Sequence, residues 1–222
     1  MGSRALAFLS PFRVLKRTAR GLKALASVLL VVLLGSCYLP LRFDAEIDLT
    51  RQGYYTMTFI GFMTDVDLFH KIQTGKIKGE EIDKQLKLIE TDFKRSPNTK
   101  EFSVFDRTRG IFKIRWEKKG DILKDRMVTF IRRNEAMLNI IYNKDKGTIA
   151  IQGASIAASN KKRLLDMGLN ATGVLKVTTD ARIIRSNATK EQNRRDGKRG
   201  KEFTWQIGSI LDPKPVLMID FR

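Results

Sequence analysis

Few residues in this chain can do chemistry. Of 222 residues, one is a cysteine, Cys37, and one is a histidine, His70. A single thiol excludes a disulfide scaffold and any zinc site built on several thiolates. A single imidazole leaves no His-rich metal site. A Ser-His-Asp arrangement through Ser103, Ser155 or Ser159 is conceivable, but no serine sits in a Gly-x-Ser-x-Gly setting. His70 reads as a surface or helix-capping residue. Asp65 and Asp67 have no third ligand at EF-hand spacing. Glu46 and Asp48 fall on one face of a predicted strand. That spacing could serve a paired-carboxylate site, though such residues are more often the solvated face of a hairpin. No P-loop or Rossmann glycine pattern occurs. These residues call for no metal and no cofactor, and they favour a non-catalytic protein over an enzyme.

What remains is charge. The formal net charge is +18. Residues 1–36 hold six of the 42 Lys and Arg and none of the 24 Asp and Glu, so the rest of the chain is +12. Such a body favours anionic partners: lipid headgroups, envelope polymers or nucleic acid. One segment is especially basic. Lys190, Arg194, Arg195, Lys198, Arg199 and Lys201 are opposed only by Glu191 and Asp196. With Gly197 and Gly200 between two predicted strands, it reads as a mobile hairpin tip. It is the candidate contact for an anionic surface, with an ordinary solvated loop as the alternative. Asn187-Ala188-Thr189 matches the glycosylation sequon, which a bacterial chain does not normally use.

The N-terminus narrows the partners. A basic stretch, Arg4 to Lys23, precedes the uncharged run Ala24–Leu34, and small residues follow. This is the order of a secretory signal: positive region, apolar region, small-residue cleavage region. Leu34-Gly35-Ser36-Cys37 resembles the bacterial lipobox. The resemblance implies cleavage between Ser36 and Cys37 and acylation of Cys37, which becomes the new N-terminus. The competing reading is a signal anchor. The uncharged run continues to Leu41, eighteen residues in all, which just reaches spanning length. Either way the body lies outside the cytoplasmic membrane, because the positive flank stays inside. That removes nucleic acid as a partner. By resemblance to Gram-negative lipoproteins, Tyr38 after the cysteine favours the outer over the inner membrane. The expected layout is a signal peptide over 1–36, an acylated tether over 37–41 and a periplasmic domain over 42–222.

The body must hold any site. Hydrophobic residues make up 42% of the chain and aromatic residues 9%, enough for a core. Arg42 to Thr50 alternates, with Phe43, Ala45, Ile47 and Leu49 opposite Asp44, Glu46 and Asp48, and so predicts a half-buried strand. After Gln52-Gly53, Tyr55, Met57 and Phe59 predict its hairpin partner. Asp65 is the cap of a short helix through Ile72. Ile82, Leu86, Ile89 and Phe93 make one face of a helix over Glu80 to Arg95, stopped by Pro97. Further strands are predicted at 101–106, 110–118, 127–132, 137–142, 148–152, 173–179, 203–210 and 216–221, with a helix from Ala157 to Met167. The class is α+β: a largely antiparallel sheet with two main helices, behind an N-terminal signal or anchor segment.

Two stretches carry a family resemblance. Arg42-Phe-Asp-Ala-Glu-Ile-Asp-Leu-Thr50 with Gly53 follows the lipobox closely. Gly173-Val-Leu-Lys-Val-Thr-Thr-Asp180 leads through Arg185-Ser-Asn187 and the basic loop to Phe203-Thr-Trp205. Together they resemble the envelope lipoproteins that include mycobacterial lipoprotein M. The resemblance implies an α/β domain associated with envelope lipids and no catalysis. The function expected is a membrane-anchored envelope lipoprotein that binds lipid, an anionic envelope component or a partner protein. An envelope hydrolase using acidic residues and a structural subunit of an envelope complex are the alternatives.

Overall fold

The computed structural model describes residues 38–131 and 137–222. The predicted leader and Cys37 lie outside the described residues. Among those described, twelve strands and four helices form an α+β fold, with a short 3-10 turn at Arg107–Arg109. In chain order they are β1 (Tyr38–Leu49), β2 (Tyr54–Asp65), α1 (Val66–Gln73), α2 (Glu80–Lys94), β3 (Thr99–Asp106), β4 (Ile111–Asp121) and α3 (Ile122–Asp125). There follow β5 (Met127–Phe130), β6 (Leu138–Asn143), β7 (Thr148–Gly153), α4 (Ala158–Asp166), β8 (Thr172–Thr179), β9 (Arg182–Ser186), β10 (Lys190–Asn193), β11 (Lys201–Ile207) and β12 (Val216–Asp220).

The strands make two sheets, ordered β10-β11-β8-β1-β2-β4-β3 and β5-β6-β7-β12-β9. Every pairing is antiparallel except β1 with β8, which run parallel from Arg42↔Thr172 to Leu49↔Thr179. The inner faces share one core. Ala45, Ile47, Met57, Phe59, Trp116 and Val177 meet Val128, Phe130, Ile140, Ile151 and Leu217 of the smaller sheet. Phe130 joins the layers, stacked on Phe59 with ring centroids 4.1 Å apart and edge-on to Trp116 at 5.2 Å. The rest of the large sheet is covered by α2, which buries the predicted stripe Ile82, Leu86, Ile89 and Phe93. Phe93 lies 5.1 Å from Tyr38 and 5.5 Å from Phe112. Asp65 caps α1 as expected, its Oδ1 accepting the Leu68 N–H at 2.9 Å.

Glycine serves the sheet at one row. Phe43 is paired with Gly61 on β2 and with Gly173 on β8. A Cβ at either position would strike the Phe43 backbone or side chain. The two glycines thus leave room for the ring, which stacks on Phe59 at 5.5 Å.

Two expectations need correction. Of the tether expected over 37–41, the described part is strand: Tyr38 to Leu41 open β1, and Tyr38 and Leu39 are buried. Leu39 enters a second small core with Phe69, Leu169, Ala171 and Ile210. The alternation that marks a strand fails here because the register shifts between Pro40 and Arg42. Proline is tolerated at such a bulge, and β8 pairs with β1 only from Arg42 on. The basic segment is also more ordered than a loop, since Lys190 to Asn193 form β10 against β11. The stretch 182–186, for which the sequence predicted no element, is edge strand β9 of the smaller sheet.

Candidate functional site

The outer face of the large sheet carries a charged groove. Period-2 alternation sends Asp44, Glu46 and Asp48 of β1 to that face while Ala45, Ile47 and Leu49 enter the core. The parallel neighbour β8 sets Lys176 level with Glu46, and the β10–β11 hairpin brings Arg194 to Asp48. A cleft of about 290 Å³ results, lined by Glu46, Asp48, Lys176, Arg194, Arg195 and Glu202 among others.

The carboxylates there are not free bases. Lys176 Nζ donates to Glu46 Oε1 at 2.9 Å. Arg194 donates through Nη1 and Nη2 to the two oxygens of Asp48, each at 3.1 Å. It also donates to Asp196 through Nε at 3.1 Å and Nη2 at 2.7 Å. Its side chain is only 9% exposed. Gln192 Nε2 donates to Glu202 Oε1 at 2.6 Å. Hydrogen bonds from Arg194 hold the Asp196 carboxyl down at about 2, and the bond to Glu46 raises Lys176. The groove holds ion pairs between β1, β8 and the β10–β11 hairpin.

The six basic-segment residues therefore divide. Arg194 is a buried clasp between β1 and the hairpin, which corrects the expectation of a solvated cation. Lys201 is paired with Glu191. Lys190, Arg195, Lys198 and Arg199 are exposed, and among the described residues no carboxylate lies within ion-pair distance of them. The tip sits at the end of the sheet where β1 finishes, because Lys201 pairs with Thr179 and Thr179 with Leu49. Arg51, Lys144, Lys146 and Arg182 lie at ends of strands or turns on the same side.

The clasp gives a stability prediction. Arg194→Ala loses the Asp48 pair and the packing of a buried side chain, and should cost about 1 kcal/mol in urea denaturation at pH 7. Asp196 has a folded value below its unfolded one, so its contribution is present above about pH 4 and lost as pH falls toward 2. The gap between wild type and variant should narrow over that interval. A gap that stays constant would show that Asp196 takes no part.

The other residues singled out from sequence do not converge. The His70 ring is on the exposed face of α1, and its backbone carbonyl accepts from the Thr74 N–H and hydroxyl. Ser103, Ser155 and Ser159 are exposed on β3, on the loop before α4 and on α4. Asp67 pairs with Lys71 at 2.6 Å. Among the described residues no three of His, Cys, Asp and Glu gather as a metal site.

One cleft was not foreseen. It measures about 390 Å³ and is lined by Ser96, Asn98, Trp116, Lys118, Asp125 and Thr129 among others. Asp125, which lines it, accepts a hydrogen bond from the Tyr55 hydroxyl at Oδ2, 2.5 Å. Burial, and then the bond to Asp125, push the Tyr55 hydroxyl far above its ordinary value, so it stays a neutral donor. Tyr55 was legible only as an inward strand residue, and Asp125 carried no signal.

No family model matches the chain, and no curated protein matches it. Among solved structures the chain is similar to the folded domain of LppM (Rv2171) from Mycobacterium tuberculosis, determined by NMR. The identity is 12% and the TM-score 0.43, covering 85% of this chain and 94% of that one.

Proposed function

We propose that this is a non-catalytic lipoprotein of the bacterial cell envelope. Acyl chains on Cys37 anchor one end, and the opposite end presents exposed cations to an anionic envelope component. One observation carries the anchoring. Tyr38 to Leu41 belong to a strand, with Tyr38 and Leu39 buried. A membrane span cannot use them without unfolding β1. The uncharged run open to the bilayer then shrinks from eighteen residues to Ala24–Cys37, fourteen. A helix needs about 20 residues to cross, whereas about 10–14 suit the apolar part of a cleaved signal. This supports the lipobox reading over the signal anchor. Periplasmic exposure follows from the basic flank, and Tyr38 after the cysteine favours the outer membrane.

The placement of the cations separates two anionic partners. β1 has twelve residues and spans roughly 36 Å at about 3.3 Å per residue. The tip of the β10–β11 hairpin lies at the end of β1 away from Cys37. Screening at ordinary salt falls off over about 8–10 Å. The tip is thus out of electrostatic reach of the leaflet that holds the anchor when the domain stands upright, and is free for a second anionic surface or polymer. The test is to anchor the protein in zwitterionic vesicles and add anionic vesicles. Wild type should tether the two at low salt and release them at high salt. Neutralising Arg195, Lys198 and Arg199 should weaken tethering up to about a hundredfold, at about 1 kcal/mol per charge. Equal tethering by wild type and triple variant would reduce the tip to a solvated turn. Arg194 and Lys201 are left intact, so the hairpin keeps its clasp.

A further inference from the structure

With the anchoring above as its premise, we infer that the end of the domain at which β1 begins lies directly on the anchoring bilayer, with Phe105 and Leu211 inserted at the headgroup boundary. The first argument is the lack of slack. Cys37 is bonded to Tyr38, whose side chain is buried in the core, and adjacent Cα atoms are about 3.8 Å apart. Acyl chains on that cysteine pull the strand end itself to the membrane surface. Whatever surrounds Tyr38 must meet headgroups.

The second argument is what surrounds it. Asp106 pairs with Ile111, Ile111 with Thr64 and Thr64 with Leu39, so the end of β3 is level with the start of β1. Phe105 projects there, 65% exposed. It packs on Phe62 at 4.5 Å, and the Arg42 guanidinium lies over Phe62 at 5.2 Å. Three strand spacings of about 4.8 Å separate it laterally from β1, so it falls within roughly 15 Å of the anchor. Leu211 is 59% exposed and follows Ile210, which packs in the small core with Leu39. Its loop is held rigid, since Asp212 Oδ2 accepts the Gly208 and Ser209 N–H groups and Asn170 Oδ1 accepts that of Ile210. Arg109, seated over Phe69 at 5.9 Å, supplies a cation at the same end. Large apolar side chains on fixed supports beside cations match the bilayer interface, where apolar groups enter and Arg meets phosphate.

The test uses the full protein, extracted with its anchor and reconstituted into vesicles of phosphatidylethanolamine and phosphatidylglycerol. Acylation of Cys37 leaves an introduced cysteine as the labelled thiol. An environment-sensitive fluorophore is placed at Phe105→Cys, at Leu211→Cys or at Gln52→Cys, the last in the turn at the far end of β1. Labels at 105 and 211 should shift to the blue and lose intensity to lipids carrying shallow spin labels, while the label at 52 should do neither. Equal, water-like signals at all three positions would overturn the docking. Intact mass on the same samples reads the anchor separately. An unmodified Cys37 overturns the lipoprotein reading, whereas acylated protein with water-like labels overturns only the docking.

Discussion

Cys37→Ala should yield a chain that takes up no labelled palmitate and keeps its 36-residue leader. In the lipoprotein proposed above the thiol would be the acyl acceptor, and by resemblance to the lipobox the cut before it would follow acylation. The effect is all or nothing, since each acyl chain contributes about 0.8 kcal/mol per buried CH₂ and the variant has none. The variant should migrate as a larger precursor, because the cut before residue 37 would not be made. Metabolic labelling with palmitate, followed by mass determination, checks both halves. A variant of mature size that still partitions into detergent would sink the lipoprotein reading.

Phe130→Ala should produce the largest loss of stability. Phe130 is fully buried and is the ring that meets both Phe59 and Trp116 across the two sheets. Removing it deletes apolar contact and leaves a cavity that neighbouring strands cannot close, a combination that costs about 3–5 kcal/mol. A domain is typically stable by only about 5–15 kcal/mol. The denaturant midpoint should fall steeply, with the slope of the transition unchanged. Phe130→Leu should recover most of the loss. A loss below about 1 kcal/mol for the alanine variant would mean that the sheets repack without the ring.

Much of this architecture was legible from side-chain period. The alternation from Phe43 to Leu49 gave the inward residues of β1 correctly, and the spacing of Ile82, Leu86, Ile89 and Phe93 located α2. These signals are local, and burial on one face enforces them. What could not be read was partnership. Nothing near Glu46 indicates that Lys176 will lie beside it, because a parallel pairing joins strands some 130 residues apart. The same holds for Arg194, which looked like one cation among six in a solvated run. Its burial is set by Asp48, a residue whose distance in sequence hides the contact. The strand from Tyr38 was hidden for a different reason: its first residues carry a proline and a register shift, so their period is broken.

The parallel pairing of β1 and β8 also orders events in time. A chain delivered N-terminus first presents β1 before its neighbours. β2 follows within a few residues and closes one edge as a hairpin. The other edge, from Arg42 to Leu49, has no partner until Thr172 has been delivered. For that interval the polypeptide displays an open strand edge beside the apolar side chains that will become its core, the condition under which chains join one another. Pairing over such a separation is slow to nucleate. Productive assembly therefore depends on delivery of the last quarter of the chain, and a truncation before Thr172 should yield aggregate rather than a smaller domain.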